Sequence, residues 1–145
     1  MNYEIIEQIQ HLFTGADERN WEKVAATLDE KVLLDYSSMN GAPATWLTPD
    51  EIITIWAGFL PGFDSTRHQL SGFSMGENEY TASVHFSGKA DHFINVERWT
   101  VEGTYDVELI YSQRSWRITA LKFNLSGQSG NTALPALAVE RMNKA

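Results

Sequence analysis

From residue 66 onward the chain alternates apolar and polar side chains with a period of two, over four consecutive stretches: 66–75, 78–88, 97–111 and 114–125. This feature constrains the fold more than any other. Period-two alternation places successive side chains on opposite faces of an extended strand, so it predicts four long, half-buried antiparallel strands. The third stretch is the clearest. Trp99, Val101, Gly103, Tyr105, Val107, Leu109 and Tyr111 share one face, and Arg98, Thr100, Glu102, Thr104, Asp106 and Glu108 share the other. Gly72, Gly88 and Gly103 lie within these runs and would permit bending.

A sheet with one apolar face must be covered, and the first half of the chain supplies the cover. Ile5, Ile6, Ile9, Leu12, Phe13 and Ala16 recur at steps of three and four, the stripe of an amphipathic helix. Asn20 can cap a second helix carrying Trp21, Val24, Ala25 and Leu28, ending at Asp29-Glu30-Lys31. Val32 to Tyr36 reads as a short strand and Ser37 to Leu47 as a loop. Thr48-Pro49-Asp50-Glu51 combines an N-cap, a proline at the first helical position and a capping-box glutamate, so a third helix starts there; Pro61-Gly62 stops it. Gln128 to Thr132 is Gly/Ser-rich, and residues 126–145 read as a loose connection followed by a tail or short helix. Helices, a short strand, a helix and then long antiparallel strands make an α+β domain. The helices would pack on one face of a strongly curved, cone-shaped sheet that encloses a pocket. At 145 residues the chain is expected to be one domain spanning 1–145.

Composition narrows the function. Aromatic residues make up 12% of the chain, enough to line an apolar cavity as well as pack a core. Eleven basic residues against nineteen acidic ones give a net charge of -8, so nucleic acid and anionic membrane surfaces are not expected partners. There is no cysteine, which removes disulfides, thiolate metal sites and thiol nucleophiles. No apolar run approaches a membrane span, and Met1-Asn2-Tyr3-Glu4 lacks a basic signal-peptide region, so a cytoplasmic location is expected.

A few residues could carry chemistry. His85 alternates with Ser83 and Ser87 on the polar face, and His11 lies at the edge of the first helix. His92 shares parity with Val84, Phe86 and Ala90, and His68 with Leu70, so both are expected on the inner face. Each could be a hydrogen-bonded core histidine or a working group. Asp17 follows Phe13 by four residues and Ile9 by eight, on the apolar side of the first helix. Its carboxylate either pairs with a nearby histidine, with His92 the expected partner, or caps a helix end. Of Asp35 and Tyr36 only one can face inward. Phe13, Trp56, Phe59, Leu60, Trp99, Tyr105 and Val107 are the expected substrate-binding wall. No zinc-protease, dinucleotide or P-loop motif occurs, and Asp17, His68 and His92 lack tight local spacing, so neither a metal nor a cofactor is expected.

The segment Phe13-Thr14-Gly15-Ala16-Asp17-Glu18-Arg19-Asn20-Trp21, followed by Val32-Leu33-Leu34-Asp35-Tyr36, Thr66-Arg67-His68 and the strand Trp99–Tyr111, resembles the SnoaL-like branch of the nuclear transport factor 2-like superfamily. Within that branch it looks most like the scytalone dehydratases. The resemblance implies a cone-shaped α+β barrel with a small-molecule pocket and frequent self-association through the sheet. It also implies site roles: Asp17 orients a pocket histidine, Tyr36 positions a water, and His68 and His92 are the pocket histidines. The chain departs from those dehydratases at Ala16, where they carry a second water-holding tyrosine, and at Tyr105 and Val107, where they carry serine and asparagine. The pocket is thereby more apolar.

Two functional readings of the pocket follow, beside a structural or assembly role through the outer face of the sheet. One is a cofactor-independent acid–base enzyme of the dehydratase or isomerase type, acting on a cyclic or aromatic hydrophobic substrate through an Asp–His pair. The other is a non-catalytic binding protein for a hydrophobic small molecule. A homodimer through the outer face of the sheet is also expected, because Ile110, Leu121 and Phe123 break the polar parity of the last two strands.

Overall fold

The computed structural model describes residues 2–144. Helix α1 (Tyr3–Glu18) starts where the Asn2 side chain accepts the Glu4 N–H at 3.0 Å, and buries Ile5, Ile9, Leu12, Phe13 and Ala16 along one stripe. Helix α2 (Trp21–Ala25) is capped by Asn20 and lasts little more than a turn. Strand β1 (Leu28–Asp35) therefore begins earlier than expected, and Asp29, Glu30 and Lys31 lie in it instead of closing a helix. The stretch expected as a loop holds a single helical turn, α3 (Ser37–Asn40), and a short strand, β2 (Thr45–Leu47). Helix α4 (Pro49–Ala57) opens with the expected capping box: Thr48 Oγ1 accepts the Glu51 N–H at 3.2 Å, and Glu51 Oε1 accepts the Thr48 N–H at 2.9 Å. A 3₁₀ turn (Leu60–Gly62) leads into β3 (Ser65–Glu77), β4 (Thr81–Ile94), β5 (Glu97–Ser112) and β6 (Ser115–Gly130). Helix α5 (Leu134–Lys144) ends the described chain.

The six strands form one curved, unclosed sheet in the order β2-β1-β6-β5-β4-β3. All neighbours are antiparallel except β1 and β6, which run parallel. Parallel neighbours need a long connection, and here most of the chain lies between the two. Helix α1 packs against β3 and β6, so the α+β architecture is the one the alternation predicts.

Curvature comes from bulges. In β3 the register slips between Ser71 and Ser74, around Gly72, whose φ of 68° belongs to the left-handed region. Between β5 and β6 it slips twice, at Glu102/Gly103 and at Glu108/Leu109. The second slip corrects one sequence expectation. It moves β6 out of its original parity, so Leu121 and Phe123 point into the core, 2% and 3% exposed, rather than outward. They cannot mark a contact on the outer face, and of the three residues offered for a dimer only Ile110 lies outside the core, half-buried. The Gly/Ser-rich segment from Ser126 is likewise not loose. It carries β6 past the first slip to Gly130, paired with Trp99–Glu102.

Gly88 and Gly103 face each other across β4 and β5. A Cβ at Gly88 would overlap the Tyr105 ring, so this position must be glycine for that ring to lie flat along the sheet. The ring then stacks on Phe86 at a centroid distance of 5.2 Å and meets Phe13 of α1 at 5.0 Å.

Candidate active site

The concave face of the sheet, α4, α3 and the start of α5 enclose a cavity of about 590 Å³. Phe13, Trp56, Phe59, Leu60, Trp99 and Tyr105 line it as expected. Val107 does not. It is 1% exposed and belongs to the closed core, because the sheet carries residue 107 past the end of the cavity. No Lys, Arg, Asp or Glu lies in the wall among the described residues. The polar groups that reach the cavity are His68, His92, Tyr36, Tyr105, Gln128, Asn40 and Thr45.

Asp17 sits behind this wall, near the C-terminal end of α1. Its partner is His68, not His92. Asp17 Oδ1 lies 2.7 Å from His68 Nδ1 and accepts the Thr66 hydroxyl at 2.9 Å, while Oδ2 accepts the His68 backbone N–H at 2.7 Å. The reason is the strand order. Edge strand β3, which carries Thr66 and His68, packs against α1, whereas His92 lies one strand further in. The capping alternative for Asp17 is not realised either. Asn20 caps α2, and the Thr14 hydroxyl bonds back to the Gln10 carbonyl.

Burial pushes the Asp17 carboxyl up, but the His68 ring, its charge and its backbone N–H, with the Thr66 hydroxyl, outweigh that. The net result is a carboxyl held below its ordinary value. A carboxylate only accepts hydrogen bonds, so His68 Nδ1 is the donor of this pair. The ring itself lines the cavity. The His68 side chain is 12% exposed and Asp17 17%, so water screens the pair only weakly.

His92 is built differently. Its Nδ1–H donates to the Trp99 carbonyl at 3.1 Å, and the ring packs between Phe63 and Trp99 at centroid distances of 4.9 and 4.3 Å. Burial, chiefly, pushes its pKa down to about 4, and the nearby charge of His68 adds to this. His92 is therefore a neutral ring at physiological pH, its centroid 6.5 Å from that of His68.

Of the pair at the end of β1, Tyr36, the residue just before α3, faces the cavity. Asp35 turns away, its carboxylate accepting the Ser37 N–H and hydroxyl at 2.9 and 2.6 Å. Burial pushes the Tyr36 and Tyr105 phenols up, and their proximity couples them. Both stay protonated and can donate. His85 and His11 lie outside the site: His85 meets Asp106 at 2.7 Å on the outer sheet face, and His11 sits 3.8 Å from Glu7 on α1.

Two participants were not foreseen. Gln128 reaches the cavity from the stretch of β6 expected as a loop, and its Oε1 accepts the Trp99 indole N–H at 2.8 Å. An indole nitrogen only donates, so the amide orientation is fixed and its NH₂ is turned from Trp99. Arg19 reaches Thr66 from the end of α1; the only trace of it in the sequence is a cation two residues after an aspartate.

The SnoaL-like domain model matches residues 2–122. The chain belongs to this family. Its members' shared fold, a nuclear transport factor 2-like or cystatin-like pocket domain, is the one described above. Among solved structures, the Kfla4162 protein of Kribbella flavida is similar over 94% of this chain and 95% of its own, at 23% identity and a TM-score of 0.85. A provisionally assigned scytalone dehydratase from Novosphingobium aromaticivorans matches over 89% and 86%, at 19% identity and a TM-score of 0.77. The type-3 hexachlorocyclohexane dehydrochlorinase LinA of Novosphingobium barchaimii matches over 90% and 89%, at 10% identity and a TM-score of 0.75. At these identities the likeness is one of fold. No curated protein matches by sequence.

Proposed function

We propose that this SnoaL-like chain is a cofactor-independent acid–base enzyme of the dehydratase or isomerase type, acting on an uncharged cyclic or aromatic substrate. The observation that carries the reading is the 2.7 Å contact between Asp17 and His68, placed behind the wall of an otherwise apolar cavity. A ring whose Nδ1–H is tied to a carboxylate presents a basic Nε2, the arrangement that general base catalysis uses. His68 is the base and Asp17 its positioning residue. The substrate is uncharged because the wall offers no ion to pair with a charged one, and burying an unpaired charge is costly.

His68 Nε2 takes a proton from a carbon next to an electron-withdrawing group. The electron pair left behind either expels a leaving group on the neighbouring carbon or spreads onto a carbonyl oxygen. The Tyr36 and Tyr105 hydroxyls, which stay protonated, donate to that oxygen as charge develops on it. The imidazolium then protonates a departing hydroxyl, or returns the proton at another carbon. His92 stays neutral and accepts a hydrogen bond from a substrate hydroxyl. The elimination chemistry named for similar folds, scytalone dehydration and hexachlorocyclohexane dehydrochlorination, is of this kind.

The test incubates the protein with scytalone, with hexachlorocyclohexane, and with 1-tetralone in D₂O, and follows product formation or deuterium uptake. The expected result is turnover of at least one, lowered about 10²–10⁴-fold by Asp17→Asn and by His68→Gln. Binding of these probes, seen by tryptophan fluorescence, without any conversion would favour a non-catalytic hydrophobic binding protein. Turnover unchanged in Asp17→Asn would remove the pair from the mechanism. Self-association through the outer sheet face is a further part of the proposal, carried by the family resemblance; a monomer in light scattering at micromolar concentration would contradict it.

A further inference from the structure

Asp17 would do its work only as an ionised acceptor in one fixed orientation, and the structure contains a device for holding it so. Arg19 closes α1 in the left-handed conformation, with φ 58° and ψ 30°. That conformation is unfavourable for a residue with a Cβ, and glycine would make the turn more readily. What a glycine could not supply is the guanidinium. Arg19 Nη1 donates to the Ala16 carbonyl at 3.0 Å and to Thr66 Oγ1 at 2.9 Å, with a longer approach to the Asp17 carbonyl at 3.5 Å. Nη2 donates to the Leu60 carbonyl at 2.8 Å. One planar fork thus joins the end of α1, the 3₁₀ turn at Leu60 and strand β3.

The direction of the chain follows from donor and acceptor rules. A guanidinium only donates, so Thr66 Oγ1 accepts from Arg19. The single proton of the hydroxyl is then committed elsewhere, and the acceptor at 2.9 Å is Asp17 Oδ1. With the His68 ring and backbone donors, that makes three donors on one carboxylate. Thr66 is 6% exposed, so no crowd of waters competes for its proton.

We propose that Arg19 is a positioning residue acting through Thr66: the guanidinium sets the direction of the Thr66 hydroxyl and so holds Asp17 as the ionised partner of His68. The proposal rests on the reading of His68 as the base, but it is tested on the carboxyl itself, without any substrate. The charged and titratable groups that face Asp17 are Arg19 at the end of α1, His68 on β3, His92 on β4 and Tyr105 on β5. Of these, Arg19 alone reaches it through an intervening hydroxyl.

The experiment follows the Asp17 side-chain carboxyl carbon by NMR through a pH titration, in wild type and in Thr66→Val, Thr66→Ser, Arg19→Gln and Arg19→Lys, with melting temperatures recorded in parallel. Thr66→Val raises the Asp17 midpoint by about one pH unit, the scale of one lost hydrogen bond to a charged group. Thr66→Ser keeps the hydroxyl and restores the wild-type midpoint. Arg19→Lys keeps the charge but loses the fork, and shifts the midpoint upward as Arg19→Gln does. In the Thr66→Val background Arg19→Gln adds less than it does alone, because the two act in series. A silent Arg19→Lys would reduce Arg19 to a nearby charge and overturn the relay. Lower melting temperatures with no change in any midpoint would make Arg19 a structural clasp only. If the Arg19 variants do not fold, the Thr66→Val and Thr66→Ser pair decides: equal midpoints refute the proposal. The failure of the enzymatic reading would show instead as absent turnover with these midpoints moving as described.

Discussion

Buried in a ring of aromatics, His92 makes the stability of this protein depend on pH in a window that can be calculated. Its pKa is about 4 in the folded chain and about 6.5 when the chain is unfolded. The unfolded state therefore binds the proton more readily, and stability falls as pH drops from about 6.5 toward 4. Integrating this difference gives about 2 kcal/mol lost between pH 7 and pH 5, and about 3 kcal/mol by pH 4. For a domain of this size 2 kcal/mol corresponds to about 4–8 °C in melting temperature. His92→Gln isolates the effect, because glutamine keeps an N–H donor but does not titrate. Urea unfolding of both proteins at half-unit steps from pH 7 to pH 4 gives two profiles. The wild-type profile should fall more steeply than the variant's by the amount above, whatever other groups contribute to both. Parallel profiles would mean that His92 protonates in place as easily as in water, and the account of its burial between Phe63 and Trp99 would be wrong.

Three further changes probe separate parts of the argument. Thr48→Ala removes the cap of α4 and should cost about 1 kcal/mol, read as a lower urea midpoint with unchanged m-value. Gly88→Ala drives a methyl group into the Tyr105 ring and should cost roughly 1–3 kcal/mol, with loss of near-ultraviolet circular dichroism from the displaced Tyr105–Phe86 stack. Arg141→Ala breaks the 2.8 Å pair with Asp64 at the surface, where both side chains are more than 40% exposed, and should change stability by less than about 1 kcal/mol in thermal unfolding.

The sheet was legible because period two is a strong signal over long strands. Trp99 to Leu109 needed only alternation, and β4 has no bulge on the path from Val84 to His92, so counting by two placed His92 inside. The errors cluster where a bulge adds one residue. At the Glu108/Leu109 slip, Ile118 and Leu121 both face inward although their numbers differ in parity. A bulge in a run of mixed polar and apolar residues leaves no trace in the alternation except its own breakage, which looks like an outward apolar patch. The same event after Leu125 hid Gln128. Gly72 is the exception, since a glycine inside a strand does advertise a bend.

The residues that surround the cavity were largely legible in the sequence and their pairing was not, and the difference is one of dimension. A carboxylate on the apolar stripe of α1 must find a partner, and that argument put Asp17 beside a histidine, as the 2.7 Å contact with His68 has it. Parity says which face a histidine occupies, not which strand lies beside the helix. His68 and His92 pass the same test, and Thr66 and His92 are register partners, so the two rings sit on adjacent strands. What separates them is that β3 is the edge strand under the end of α1, a fact of strand order that no local pattern carries. Once that order is fixed, the two rings have different hydrogen-bond partners: Asp17 for His68 and the Trp99 carbonyl for His92. The ring nitrogen of His68 turned from the cavity meets a carboxylate, whereas a neutral carbonyl behind His92, whose ring packs between Phe63 and Trp99, does not compensate for burial of a charge. On the proposed function, two histidines of the same parity thus take the parts of base and neutral acceptor because of what each ring hydrogen-bonds on the side away from the cavity.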